Sequence, residues 1–125
     1  MNENKIAEAV VDIAFIIHRE LGHGFFESVY EELLFDLLVE REYKVFRQVP
    51  LPVYFRKKVY NIGFKADLVI EDLVIVELKS VEKLHPVHFK QLLNYLKVTK
   101  FKLGLLINFN EEYLKNGIKR IVNGL

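Results

Sequence analysis

Asp67, Glu77 and Lys79 lie within "ADLVIEDLVIVELKS", Ala66 to Ser80, a stretch that otherwise reads as two apolar strands. Asp, Glu and Lys are almost never fully buried unless paired, so three of them in sheet-like runs ask for a chemical reason. Glu77 and Lys79 are two apart and share one side of a strand. Asp67 sits on the preceding strand and joins them in only one register. A two-residue turn, Glu71-Asp72, pairs Asp67 with Val76 and points it to the wrong side. An odd loop such as Glu71-Asp72-Leu73, or a bulge there, sets Asp67 opposite Glu77. Asp tolerates the left-handed conformation such a loop uses.

In that register two carboxylates and an ammonium converge. Carboxylates this close repel unless a cation lies between them. Oxygen donors without cysteine favour a hard ion, Mg²⁺ or Mn²⁺. A water held by such an ion can act as a nucleophile. Lys79 would orient that water or offset charge on a phosphate. For so short a spacing taken alone, an ion pair of Lys79 with Asp67 or Glu77 is the plainer outcome.

The elements that must position these residues follow from periodicity. Ile6, Ala9, Val10, Ile13, Ile17 and Leu21 fall at helical spacings, and Gly22 and Gly24 end that helix. A second helix runs from about Glu27 to Glu42, striped by Tyr30, Leu33, Leu34, Leu37 and Leu38. "KVFRQVPLPVYF" then reads as a strand with Pro50 and Pro52 marking an edge, "RKK" as a turn, and "VYNIGFKADLVI" as the next strand. Gly63 in it marks a bulge or close approach. "LVIVELK" is a third strand. Pro86 to about Lys97 is a helix with proline in its first turn, and "FKLGLLINF" is a strand buried on both faces. "NEEYLKNGIKRIV" reads as a closing helix capped by Asn110. The order is α-α-β-β-β-α-β-α, a mixed sheet flanked by helices. The first three strands should form an antiparallel meander. The third and fourth should be parallel through a right-handed crossover.

Composition bounds the rest. The 125 residues suggest a single domain, 1–125. Apolar residues make up 51% and charged residues 28%, enough for a packed core. The absence of cysteine excludes a disulfide framework, a Cys-ligated zinc site and a thiol nucleophile. The apolar run Ala9 to Ile17 is short and broken by Asp12, so no membrane partner and a cytoplasmic location are expected. Net charge is +1, but residues 1–78 carry 9 basic against 14 acidic groups and residues 79–125 carry 9 against 3. The basic half could face a polyanion or be a solvated lysine surface.

Asp67 followed by Glu77-Leu78-Lys79 resembles the PD-(D/E)XK nuclease signature. "GFFESVY", Gly24 to Tyr30, resembles the GxxExxY motif that names a prokaryotic family within that superfamily. "RQVPLPVYF", "ADLVIED", "VIVELKSVE", "QLLNYLK" and "LGLLINF" are similar to that family's segments, in its order, over about Ile6 to Asn123. The resemblance implies an α/β fold with a restriction-endonuclease-like α-β-β-β-α-β core. It implies a divalent metal, Mg²⁺ or Mn²⁺, on Asp67, Glu77 and the Leu78 backbone carbonyl, with Lys79 as catalytic lysine. Glu27 matches the acidic residue that an early helix contributes to many such sites, where it tunes the metal or supports a second ion. Gln91-x-x-x-Tyr95 resembles the QxxxY motif of the RecB-type branch, whose helix flanks the site or holds nucleic acid. Ala66 stands where the signature has proline.

The residues themselves leave plainer alternatives. A carboxylate at Glu27 suits the first turn of a helix, although Glu27, Tyr30, Glu31 and Leu34 share one side, which points Glu27 inward at the core rim. Tyr95 can cap the core with Gln91 beside it. His85 and His88, three apart near a helix start, could be metal ligands or phosphate contacts, with solvated surface histidines the plainer reading. Lys83, Lys90, Lys97, Lys100 and Lys102 could line a nucleic-acid track or simply be solvated. The function expected is a metal-dependent nuclease acting on nucleic acid, DNA before RNA, with a homodimer compatible with so small a nuclease. The alternative is a nuclease-fold binding module with weak or absent catalysis.

Overall fold

The computed structural model describes residues 1–125. Two helices come first, α1 (Glu3–Leu21) and α2 (Glu27–Glu40). The spacing of apolar residues along α1 buries Ile6, Val10, Ile13 and Ile17. The Asn2 side chain caps its start by accepting from the Lys5 N–H at 2.9 Å. Then follow β1 (Val45–Pro50), β2 (Val53–Phe55), β3 (Lys58–Tyr60), β4 (Lys65–Ile70), β5 (Val74–Lys79), α3 (Pro86–Thr99) and β6 (Leu103–Asn108). A 3-10 turn, Leu114–Gly117, and β7 (Ile118–Val122) close the chain.

Five strands form one sheet in the order β1-β4-β5-β6-β7, and β2 and β3 form a separate ribbon. β1, β4 and β5 are antiparallel neighbours, and β5 runs parallel to β6 through the α3 crossover. This is the restriction-endonuclease-like α-β-β-β-α-β core, a mixed sheet flanked by helices. Side-chain alternation covers both faces. Leu68, Ile70, Val74, Val76, Leu105 and Ile107 pack under α1 and α2, whereas Val69, Ile75 and Leu106 pack under Leu92 and Leu96 of α3. All six residues of β6 are buried, as a strand covered on both faces requires.

The β4–β5 loop decides where the ionisable residues point. Ile70 pairs with Val74, so Glu71, Asp72 and Leu73 form the odd loop that sets the working register. Glu71 and Asp72 are both left-handed, with φ of 56° and 55°, and the Leu73 N–H closes the turn on the Ile70 carbonyl at 3.0 Å. Lys44 holds the loop from β1's side. Its N–H donates to the Glu71 carboxylate at 2.6 Å, and its ammonium pairs with Asp72 at 2.9 Å.

Two expectations are corrected. The two long strands expected between Lys44 and Ile70 are four. β1 and β4 pair directly, and the chain between them folds out as the β2–β3 ribbon, turning at Arg56 and Lys57. Pro50 and Pro52 cannot donate to a ladder, which ends β1 there. Gly63 is a close approach, since a Cβ on it would lie 2.1 Å from the Leu51 carbonyl oxygen. The closing helix expected over "NEEYLKNGIKRIV" is instead a 3-10 turn followed by β7. A helix puts Ile118 and Ile121 on one face. A strand puts them on opposite faces, and the sheet has a core on each: Ile118 packs on the α1–α2 side and Ile121 on the α3 side. Gly117 permits the turn, since its Cβ would lie 2.4 Å from the Asn108 carbonyl oxygen.

A left-handed residue costs an ordinary L-side chain about 1–2 kcal/mol. Asp72→Val should therefore lose about that much stability in urea denaturation, whereas Asp72→Gly should match or slightly exceed the wild type. Equal stability of the valine variant would mean that the loop has another shape.

Candidate active site

Continued past Leu68 and Val76, the β4–β5 register sets Asp67 opposite Glu77. The backbone ladder stops at that point, and the carboxylates take over its bonds. The Leu78 N–H donates to Asp67 Oδ2 at 2.8 Å, and the Asp67 N–H donates to Glu77 Oε1 at 3.3 Å. Glu77 and Lys79 fall on the face of Ile75, the α3 side, and Asp67 stands where the alternation of β4 breaks, since Ala66 beside it packs with Val69 on that same side. The Lys79 ammonium has no ion pair with either carboxylate, for the four ion pairs of the molecule lie elsewhere. The simple salt bridge that the spacing alone would favour is absent.

Burial first, and neighbouring negative charge second, set the protonation of the pair. Burial pushes the Glu77 carboxyl up to about 8, with the Asp67 charge adding to it. The Asp67 N–H, Lys79 and, in the opposite sense, Glu27 act less strongly. Asp67 is also raised, first by burial, against hydrogen bonds from Leu78 and Gln48, with Glu31 and Glu27 raising it further.

Asp67 is braced from α2. Gln48 Nε2 donates to Asp67 Oδ1 at 3.2 Å and to Glu31 Oε1 at 2.6 Å. Glu31, 8% exposed, also accepts from Arg47 Nε and Nη2 at 3.2 and 3.0 Å. Arg47 bonds Glu32 as well and stands over the Phe35 ring. Gln48 adopts a left-handed φ of 48° in the middle of β1, a strained state of the kind that gathers at functional sites. Sequence reasoning missed Gln48 and the bracing role of Glu31. Glu31 carried a signal, sharing a helical side with Tyr30 and Leu34. Gln48 carried none.

The remaining motif residues divide. Glu27 is exposed rather than turned inward as expected, because it opens α2 in the first turn and the core stripe begins at Tyr30. Its charge nonetheless acts on Asp67, Glu77 and His88. Tyr30 is fully buried, stacks on Phe109 at 4.3 Å, donates to the Gly22 carbonyl at 2.8 Å and accepts from the Phe25 N–H at 3.3 Å. It thus ties down the loop that delivers Glu27. On the far side of Lys79, fully buried Asn108 grips Val81 in both directions, at 3.1 and 2.9 Å, and the Phe109 N–H bonds the Lys79 carbonyl at 2.9 Å.

Gln91 and Lys90 are exposed on α3, and Tyr95 is half-buried against the Phe64 ring. No hydrogen bond links them to Asp67, Glu77 or Lys79. His88, in the first turn of α3, feels both Lys79 and Glu27. Burial, then Lys79 and His85, hold its pKa below the usual value.

The donor chemistry fits a hydrated divalent ion. Asp67, Glu77 and the Leu78 carbonyl are all oxygen donors at the point where β4–β5 pairing ends, and positive charge between the carboxylates offsets the negative charge that raises each beyond the effect of burial. No three His, Cys, Asp or Glu side chains gather into one group that could hold a metal ion. Mg²⁺ accepts one or two carboxylates and keeps several waters. The largest groove of the molecule lies elsewhere, between α1 and α2.

A family model described as the PD-(D/E)XK nuclease superfamily matches residues 4–121. No curated protein and no solved structure matches the chain.

Two outcomes follow from this geometry. Glu77 keeps its proton up to about pH 8 when folded but releases it near 4.5 when unfolded. Its contribution to stability should thus be full below pH 4.5 and decline as pH rises to about 8. Melting temperatures in EDTA should show this decline in the wild type and lose it in Glu77→Gln. Tyr30→Phe strands the Gly22 carbonyl and the Phe25 N–H, and should cost about 1–3 kcal/mol in urea denaturation.

Proposed function

The chain belongs to the PD-(D/E)XK nuclease superfamily, and we propose that it is a metal-dependent nuclease that hydrolyses phosphodiester bonds, with DNA as substrate before RNA. The observation that carries this reading is the convergence of Asp67 and Glu77 across adjacent strands beside an ammonium, Lys79, that neither carboxylate neutralises. "GFFESVY" supports placement in the GxxExxY family, with Tyr30 as the structural anchor of that motif and Glu27 as its exposed acid.

A divalent ion, Mg²⁺ or Mn²⁺, supplies Lewis acidity toward the scissile phosphate and lowers the pKa of a water. Asp67 and Glu77 bind it with the Leu78 carbonyl. Lys79, two residues beyond Glu77 on the same side, holds the attacking water and offsets charge growing on the phosphate. Gln48 and Glu31 keep Asp67 aimed. Glu27, at the rim, tunes the charge of the site. The placement at a sheet end suits a polymer better than an enclosed small molecule.

Cleavage of labelled DNA in Mg²⁺ or Mn²⁺ tests the assignment. Asp67→Ala and Lys79→Ala should each lose at least about a hundredfold in rate, the usual scale for removing one electrostatic or acid–base group. Unchanged rates in both variants would remove this mechanism. A second reading, a binding module without catalysis, draws on the way both carboxylates are turned onto backbone N–H groups. Calorimetry separates the two, since Mn²⁺ binding that Asp67→Ala abolishes supports the nuclease, and DNA binding without Mn²⁺ binding supports the module.

A further inference from the structure

The β2–β3 ribbon has no part in the carboxylate site, yet its composition is unlike the rest of the chain. From Tyr43 to Ala66 there is no acidic residue. Arg56, Lys57, Lys58 and Lys65 all fall in or beside the ribbon, and none pairs with a carboxylate. Large apolar side chains are left in solvent there: Phe55 is 60% exposed and Tyr60 38%. The pairing Val53↔Tyr60 and Phe55↔Lys58 puts Phe55, Lys58 and Tyr60 on one face of the ribbon.

The tip is strained in a telling way. Arg56 and Lys57 are left-handed, with φ of 49° and 63°, at the two positions where such a turn prefers Asn-Gly. Two cations are held where the backbone would favour smaller residues.

The ribbon is also tied to the element that leads to the site. Lys100, at the end of α3, stands over Tyr54 at 5.1 Å, and Phe64 stacks on Tyr95. The same helix packs over Ala66 of β4 and Ile75 of β5. The ribbon and the strands that carry the carboxylates thus border one helix.

We propose that the β2–β3 ribbon is a single-strand-binding arm that stacks unpaired bases on Phe55 and Tyr60 and holds their phosphates with Arg56, Lys57 and Lys58. This deepens the nuclease reading and rests on it for the fate of the bound strand. Exposed rings beside cations are the recurrent recipe for single strands, because an unpaired base offers a free face. A duplex hides those faces in its stack and gives the rings nothing to meet. Four cations without a carboxylate partner, one of them Arg56 over the Phe55 ring at 5.6 Å, match a polyanion and repel a basic partner.

The test is fluorescence anisotropy with the full chain in EDTA, using labelled oligothymidylate and a duplex of equal length. Single strand should bind roughly tenfold or more tighter than duplex, and Phe55→Ala/Tyr60→Ala should lose roughly tenfold or more on the single strand. Arg56→Ser/Lys57→Ser/Lys58→Ser should reduce the slope of log affinity against log salt by about 2. Unaltered binding by a ring variant with wild-type circular dichroism, or duplex bound as tightly as single strand, overturns the proposal. If the ring variant fails to fold, the charge variant decides, and an unchanged salt slope overturns it. Ribbon-dependent binding without cleavage in Mg²⁺ would sink the nuclease reading and leave this one standing. Cleavage by a protein whose single-strand binding ignores the ribbon would do the reverse.

Discussion

Asp67 accepts a hydrogen bond from the Leu78 N–H at the point where β4 and β5 cease to pair, and that bond exists in one register only. A shift of one residue along β5 turns every side chain to the opposite face. It would bury Glu77 and Lys79 under α1 and α2, against Leu68 of β4, where neither charge has a partner. The loop Glu71-Asp72-Leu73 fixes the register, and Lys44 fixes the loop. The two cores reinforce it, since each strand of the pair has apolar residues committed to both faces. The chemistry at the sheet end therefore depends on the same alternation that holds the fold together.

Around that point the structure supplies rigidity from three directions. α2 reaches Asp67 through Glu31 and Gln48, with Arg47 between Glu31 and Glu32 compensating the buried acid. Tyr30 fastens the loop ahead of α2 from within the core. Asn108 and Phe109, at the end of β6, fix the chain that leaves Lys79. No buried side-chain polar atom lacks a partner. In a low-dielectric setting, fully satisfied polar groups of this kind hold one geometry, whereas partly satisfied ones would loosen it.

The sequence displayed the chemistry more clearly than its supports. The D-x9-E-x-K spacing, the strand period and a left-handed Asp were enough to require an odd loop. The apolar run of β6 and the crossover helix were equally plain. β7 was misread because Ile118 and Ile121 suit a helix by spacing, and only a sheet with two covered faces makes a strand the better solution. Glu27 was turned inward on paper by its neighbours Tyr30 and Leu34, though the first turn of α2 lies outside the core. Gln48 could not be seen, because its role comes from a left-handed backbone that no local pattern announces. The charge count hid the ribbon, since averaging residues 1–78 buried a wholly basic insert among acidic helices.

That insert leaves the sheet and returns to it at adjacent points. Val49 pairs with Ala66, Pro50 with Lys65, and the Leu51 N–H with the Phe64 carbonyl at 3.0 Å. Between these paired ends the chain meets the frame only along α3, where Lys100 stands over Tyr54, and changing the length of such a loop costs little closure entropy. The ribbon is in effect an exchangeable attachment. Lineages or engineers can lengthen, trim or replace it while Gln48 and Asp67 stay opposite each other. The surface that the ribbon presents can therefore drift independently of the sheet end that holds Asp67 and Glu77.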